Sequence, residues 1–156
     1  MSWSLRLRGG DLNLSGKEGY ATVRSGAKLL QDLRNWTLEP RGTDPLHPQF
    51  GSTLDGGMSR GVQVDSLIGS TISQEVLLDI EVEIRRILSE YRRQQANRVH
   101  SDMMKFGGRH TVDQGEGIDS IEDIQVRQVN DTVLIRVTIR TSSGARFSLT
   151  QPVGST

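Results

Sequence analysis

One stretch, STISQEVLLDIEVEIRRILSEYRRQQANRV, limits what this chain can fold into more than any other. Val76, Leu77, Ile80, Ile84, Ile87, Leu88 and Tyr91 recur at three- and four-residue intervals, which places them on one face of an α-helix. Thr71 or Ser73 can cap its start by accepting a backbone N–H bond. Acids come early (Glu75, Asp79, Glu81, Glu83) and bases late (Arg92, Arg93), as the helix dipole favours. Glu81 and Arg85 have the spacing of an i,i+4 ion pair. A helix over about residues 73–99 is roughly 40 Å long at a rise of about 1.5 Å per residue. That is long for one small domain, so its last turns have room to pack on another subunit.

The remaining segments must cover this helix. LRLRG, DLNLSG and YATVRSG alternate apolar and polar residues between glycines and read as N-terminal strands. Leu29, Leu33 and Trp36, with Leu30, predict a short helix over residues 25–36. Pro40 ends it, because proline lacks an N–H and restricts the residue before it. Residues 42–69 read mostly as loop, with LDGGMSRG rich in glycine. KFGGRHTVDQGEGIDS, residues 105–120, reads as a flexible connector. After it, IEDIQVRQV, TVLIRVTIR and ARFSLTQPV predict a three-stranded antiparallel meander with tight turns at Asn130-Asp131 and TSSG. In its middle strand Val133, Ile135, Val137 and Ile139 share one face, and Leu134, Arg136, Thr138 and Arg140 the other. The fold class is therefore α+β, in a single domain over residues 1–156.

Composition narrows the function. Only 34% of the residues are hydrophobic and 4% aromatic, with 17 glycines, which fits a protein whose faces are completed by neighbours. Equal numbers of basic and acidic residues, 19 each, argue against a global electrostatic grip on nucleic acid or an anionic membrane. With no cysteine there is no disulfide and no thiolate metal site. The start, MSWSLRLRGG, lacks the apolar run of a signal peptide, and no segment has transmembrane length. The expectation is a protein made in the cytoplasm and binding neither membrane nor nucleic acid.

Several residue groups invite a chemical reading. Glu39, Asp44 and Asp55 lie close in sequence, and a glycosidase needs two carboxyl groups about 5–9.5 Å apart. Asp44 before Pro45 is equally a turn former. His47, His100 and His110 have neither zinc-pair spacing nor cysteine support, so no metal or cofactor is expected. RGG at residues 8–10 and FGGR at residues 106–109 lack the lysine and strand–turn–helix setting of a phosphate loop, and no G-x-S-x-G elbow occurs. Arg85, Arg86, Arg92, Arg93 and Arg98 read as a solvated helix face or a protein interface. The meander offers an unpaired strand edge, which is covered by the chain's own N-terminal segment or accepts a partner's strand.

GAKLLQDLRNWTLEPRGTDPLHPQFGSTLDG, residues 26–56, resembles the sheath-initiator or baseplate-wedge proteins of contractile phage tails, the gene-twenty-five-like family. Members carry a short helix, a turn with Pro and Gly, then a Pro-x-aromatic-Gly unit. Here these are residues 29–38, then Pro40, Arg41 and Gly42, then Pro48, Gln49, Phe50 and Gly51. The later long helix and meander follow the family's order. The family often has Glu-Pro-Arg just after the long helix, where this chain reads YRRQQANRVHSD. Glu39, Pro40 and Arg41 fall in the first loop instead, and that motif's role is not transferred to them. Residues 105–120 look like an insertion.

The resemblance implies a structural protein, not an enzyme, with the fold of the tail sheath core domain. It implies about six copies around the tail tube and partners among sheath, wedge, and tube or hub proteins. Its place would be the tail baseplate of the virion. Pro40, Gly42, Asp44, Pro45, His47, Pro48, Phe50 and Gly51 would form a rigid structural loop. Val133, Ile135, Val137, Ile139, Phe147, Leu149 and Gln151 would form the sheath contact by strand addition. The family is sometimes labelled lysozyme, so the alternative is a peptidoglycan-degrading baseplate enzyme.

Overall fold

A computed structural model describes residues 3–8, 11–12, 22–59, 62–64, 66–67, 72–108 and 111–153. Two short strand pairs open the chain, β1 (Trp3–Leu5) with β4 (Thr22–Arg24) and β2 (Leu7–Arg8) with β3 (Asp11–Leu12), both antiparallel. β4 runs directly into α1 (Ser25–Leu38). This helix ends at Glu39, whose extended backbone is what the following proline demands. Leu29, Leu33 and Trp36 of α1 are buried, as their spacing predicts.

The expectation of loop over residues 42–69 is corrected in part. Pro40–Arg41 form a short strand, β5, that pairs in parallel with β6 (Ser52–Ser59), and β6 pairs antiparallel with β7 (Val62–Val64). Glycines read as loop signals are here a packing requirement of a strand. Gly57 has φ of 116°, and a Cβ there would lie 2.8 Å from the Arg41 backbone nitrogen and oxygen. Only glycine lets β5 approach β6 so closely.

The long helix, α2, spans Gln74–Phe106, 33 residues and about 50 Å at a rise of ~1.5 Å per residue. Ser73 caps it, its Oγ accepting the Val76 N–H at 3.3 Å; Thr71 lies outside the described residues. The helix runs past the expected end near residue 99. Residues 100–106 contain no strong breaker, and Gly107 supplies the left-handed stop, with φ of 63°. Arg85 and Glu81 pair at 2.7 Å.

The C-terminal sheet is the expected meander, in the order β10-β9-β8 with both pairings antiparallel. Its strands are β8 (Ile118–Val129), β9 (Thr132–Thr141) and β10 (Arg146–Val153). Asn130 sits in the first turn with φ of 56°, a conformation asparagine tolerates. Val133, Ile135, Val137 and Ile139 of β9, with Ile124, Leu149 and Val153 of its neighbours, form the buried face. They pack in one cluster with Leu29, Leu33, Trp36, Leu54, Ile80, Ile84, Ile87 and Leu88. Burying each such side chain contributes about 1.5–3 kcal/mol. The core thus lies between the sheet and the two helices.

Residues 111–117 are tied down at several points. Thr111 donates to Asp102 from N (2.9 Å) and Oγ1 (2.6 Å), and Ser25 Oγ donates to Asp113 Oδ2 at 2.8 Å. Val112 and Glu116 are buried. Residues 109 and 110 lie outside the described set.

Candidate functional site

The proline-bracketed segment between α1 and β6 is held from both helices. Phe50 stacks on Trp36 with ring centroids 5.3 Å apart, and Trp36 meets Tyr91 of α2 edge-on at 5.2 Å. Within the loop, Asp44 makes a turn by accepting from the Leu46 N–H (2.9 Å) and contacting His47 Nδ1 (2.8 Å). The Phe50 N–H donates to His47 O, and the Ser52 N–H to Glu39 O. Gly42 and Gly51 have φ of 83° and 96°. A Cβ on Gly51 would lie 2.5 Å from Glu39 O.

A second clamp comes from α2. Glu83, 8% exposed, accepts the Thr53 N–H at 2.8 Å and two bonds from Arg86, both 2.8 Å. Arg86 Nη2 also donates to Gly51 O at 2.9 Å. Burial by itself would raise the Glu83 carboxyl, but the bonds from Arg86 and Thr53 outweigh it and hold the group below its ordinary value. Arg41 reaches the same cluster; burial first, then the Arg86 charge, lowers its guanidinium. This clamp was missed in the sequence, where Glu83 counted as a dipole acid and Arg86 as part of a basic run. The signal was available: Glu83 lies between Ile80, Ile84 and Ile87 on the inward face.

The expected contact residues divide into two groups. Val133, Ile135, Val137 and Ile139 belong to the central strand, have neighbours on both sides, and point into the domain's own core. Their side chains are spent on folding, so a partner strand cannot reach them through β9. Phe147, Leu149 and Gln151 lie on β10, which pairs only with β9 among the described residues. Phe147 is half-buried against α1, where any side chain on Gly26 would run into its ring. Leu149 and Gln151 are buried as well. What β10 offers outward is its backbone. Pro152, opposite Leu134, has no N–H to give, so its position is one where backbone groups face away from β9. By alternation Ser148 and Thr150 turn their N–H and C=O groups to the same free edge. The other edge, β8, is irregular, with register shifts at Ile118/Ser120 and Ile121/Asp123. It also carries exposed Glu122, Asp123 and Arg127, and bulges and charges both discourage pairing.

The other candidate groups have local explanations. Glu39 accepts from Thr43 Oγ1 at 3.0 Å, and Asp55 from Ser66 Oγ at 3.1 Å. The hydrogen bond from His47, then that from the Leu46 N–H, holds the exposed Asp44 carboxyl below its ordinary value. His100 is exposed on α2, and Gly9, Gly10, Arg109 and His110 lie outside the described residues. In the basic run Arg85, Arg86 and Arg93 pair with Glu81, Glu83 and Glu90. No group of three or more His, Asp and Glu residues converges on a metal position among the described residues. No described helix is long and apolar enough to cross a membrane.

No family model matches the sequence, and no curated protein matches it. A solved structure does: the Geobacter sulfurreducens protein named "putative tail lysozyme". It aligns with a TM-score of 0.52 over 87% of this chain and 98% of its own, at 19% identity. The two share a fold.

Proposed function

We propose that this protein is a structural subunit of a contractile phage tail, placed in the baseplate, that starts sheath assembly around the tail tube. The observation that carries this reading is the regular outer edge of β10, which no described strand pairs, at the opposite side of the sheet from a bulged and charged β8. A strand from a sheath subunit adds to that edge, with main-chain bonds supplying affinity and the alternating pattern setting register. The braced loop of residues 39–51 keeps α1, and the β10 strand it covers, in a fixed position, so little order has to be imposed on binding. About six copies in a ring give weak single contacts a high combined strength. Sheath, wedge, and tube or hub proteins are the proposed partners. The fold shared with a protein whose name places it in a tail supports this reading.

Thr150→Pro tests it. The substitution removes an outward N–H from β10 without touching the β9 ladder. Assembly reactions with sheath protein should then stall at the first ring; sheath growth at the normal rate would reject the proposal.

The same neighbour's name favours a second reading, a peptidoglycan hydrolase. A glycosidase acid needs a raised pKa, whereas Asp44 is shifted downward and Glu39 is exposed. A zymogram of the purified protein decides: lysis that disappears in Glu39→Gln or Asp44→Asn would put the enzyme first.

A further inference from the structure

The helix α2 outruns the core it packs on. Its buried residues, Ile80, Glu83, Ile84, Ile87 and Leu88, all lie in its first half, and none of residues 91–106 is buried. Tyr91 and Gln95 are half-buried, through the edge contact with Trp36 and the bonds to Glu116 and Ile118. Beyond them Asp102 holds Thr111, while Met103, Met104 and Phe106 are exposed. Most helical stability in proteins comes from packing one face, and this half of α2 has little packing of its own. The outward face of the first half is apolar as well: Leu78 and Val82, one turn apart, are exposed. Beside them, between the start of α2 and β8, runs an open groove of about 230 Å³ lined by Gln74, Leu77, Leu78, Glu81 and Val126.

The charges of α2 are divided between its halves. Residues 74–90 carry five acids against two arginines, and residues 91–106 carry three arginines and one lysine against one acid. The start is therefore negative and the end positive, by the same margin. Two such helices side by side attract in antiparallel order and repel in parallel order, and their macrodipoles favour the same order. Leu78, Val82, Ser89, Ala96 and Met103 fall on the outward face, where the small residues in the middle allow close approach.

We infer that α2 pairs antiparallel with α2 of a second copy of this chain, the Phe106 of each copy entering the groove between α2 and β8 of the other. With the two-fold axis near residues 90 and 91, Leu78 lies level with Met103 of the second copy, and the groove level with its last turn. A two-fold axis between antiparallel helices brings the same flank of each together. Phe106 and Glu81 share one flank of α2, since about seven whole turns separate them. The facing strips, about 50 Å long and ~10 Å wide, cover roughly 1,000 Å² in all, at the lower limit for a specific contact. The dimer is accordingly weak and reversible. Copies arranged around a tail axis meet head to tail, so this two-fold contact belongs to the free subunit and does not rest on the assembly reading above.

Sedimentation equilibrium of the purified full chain tests the pairing. A monomer–dimer equilibrium is expected, and added sodium chloride should weaken it by screening. Phe106→Ala should weaken it by about tenfold or more, and Val82→Glu should abolish it. Both variants should keep the wild-type unfolding transition at low protein concentration, because both side chains are exposed in the single chain. Orientation is read by disulfide cross-linking, since the chain has no cysteine of its own. A mixture of Leu78→Cys and Met103→Cys chains should couple unlike copies far faster than either variant couples to itself. A chain that stays monomeric at every concentration, a dimer indifferent to Phe106→Ala, or faster coupling between like copies would overturn the inference. None of these outcomes bears on Thr150→Pro, which is read with sheath protein.

Discussion

At the scale of single residues, the loop between α1 and β6 depends on two features that pull in different physical directions. Gly51 is there for its shape. Its φ of 96° and the 2.5 Å approach of Glu39 O to a would-be Cβ leave no room for a side chain. Gly51→Ala should therefore destabilise the protein by at least ~2 kcal/mol in urea unfolding. Glu83 is there for its charge. Its folded pKa lies below the ordinary 4.5, so its contribution is fully present above about pH 4.5 and is lost as pH falls through the lower folded value. Glu83→Gln removes charge-assisted bonds to Arg86 and should cost roughly 1–3 kcal/mol at neutral pH. The gap between wild type and variant should narrow as unfolding is measured below pH 4.5, where the wild-type carboxyl also loses its charge. A gap that stayed constant down to the acid transition would show that Glu83 acts by packing alone. Neither feature has a simple sequence signature. Glycine in a loop announces a turn but not which carbonyl crowds it. A glutamate among isoleucines announces burial only once the inward face is known.

At the scale of elements, legibility followed locality. The α2 stripe and the β9 alternation were readable because helix and strand periods are written into consecutive residues, and the cores they predicted are the cores observed. β5 to β7 were not, because a parallel contact between residues 40–41 and a glycine-bearing strand is set by distant backbone, not by local pattern. The clefts and clamps fall in the same class: Glu116 meets Lys28 across 88 residues of chain, and its sequence neighbours look like linker. The α2 helix gives a clean check on the division of its faces. Ile84, 3% exposed, sits in the core cluster, while Val82, 65% exposed, faces away. Ile84→Ala should cost about 2–5 kcal/mol and Val82→Ala less than about 0.5 kcal/mol. Chemical denaturation of both variants measures this, and comparable losses would mean that the outward face of α2 is covered.

For the whole molecule, the question is whether the sheet edge can be altered without losing the domain that carries it. Removing residues 145–156 cannot separate the two. It takes Leu149 and Val153 from the core, withdraws Phe147 from its seat on Gly26, and strips one side of β9 of its partner. Such a truncation should abolish cooperative unfolding, so a failure to assemble would say nothing about strand addition. Thr150→Pro is the discriminating change. Thr150 is exposed, its neighbour two positions on is already proline, and its backbone groups face outward in the same alternation. The variant should keep a single cooperative transition within about 1 kcal/mol of wild type. If Thr150→Pro unfolds like the truncation, the N–H at residue 150 bonds within the chain and the edge is closed from inside. If it folds normally, the edge is free in the isolated protein, and its role can be judged by assembly alone, because the core beneath it is unchanged.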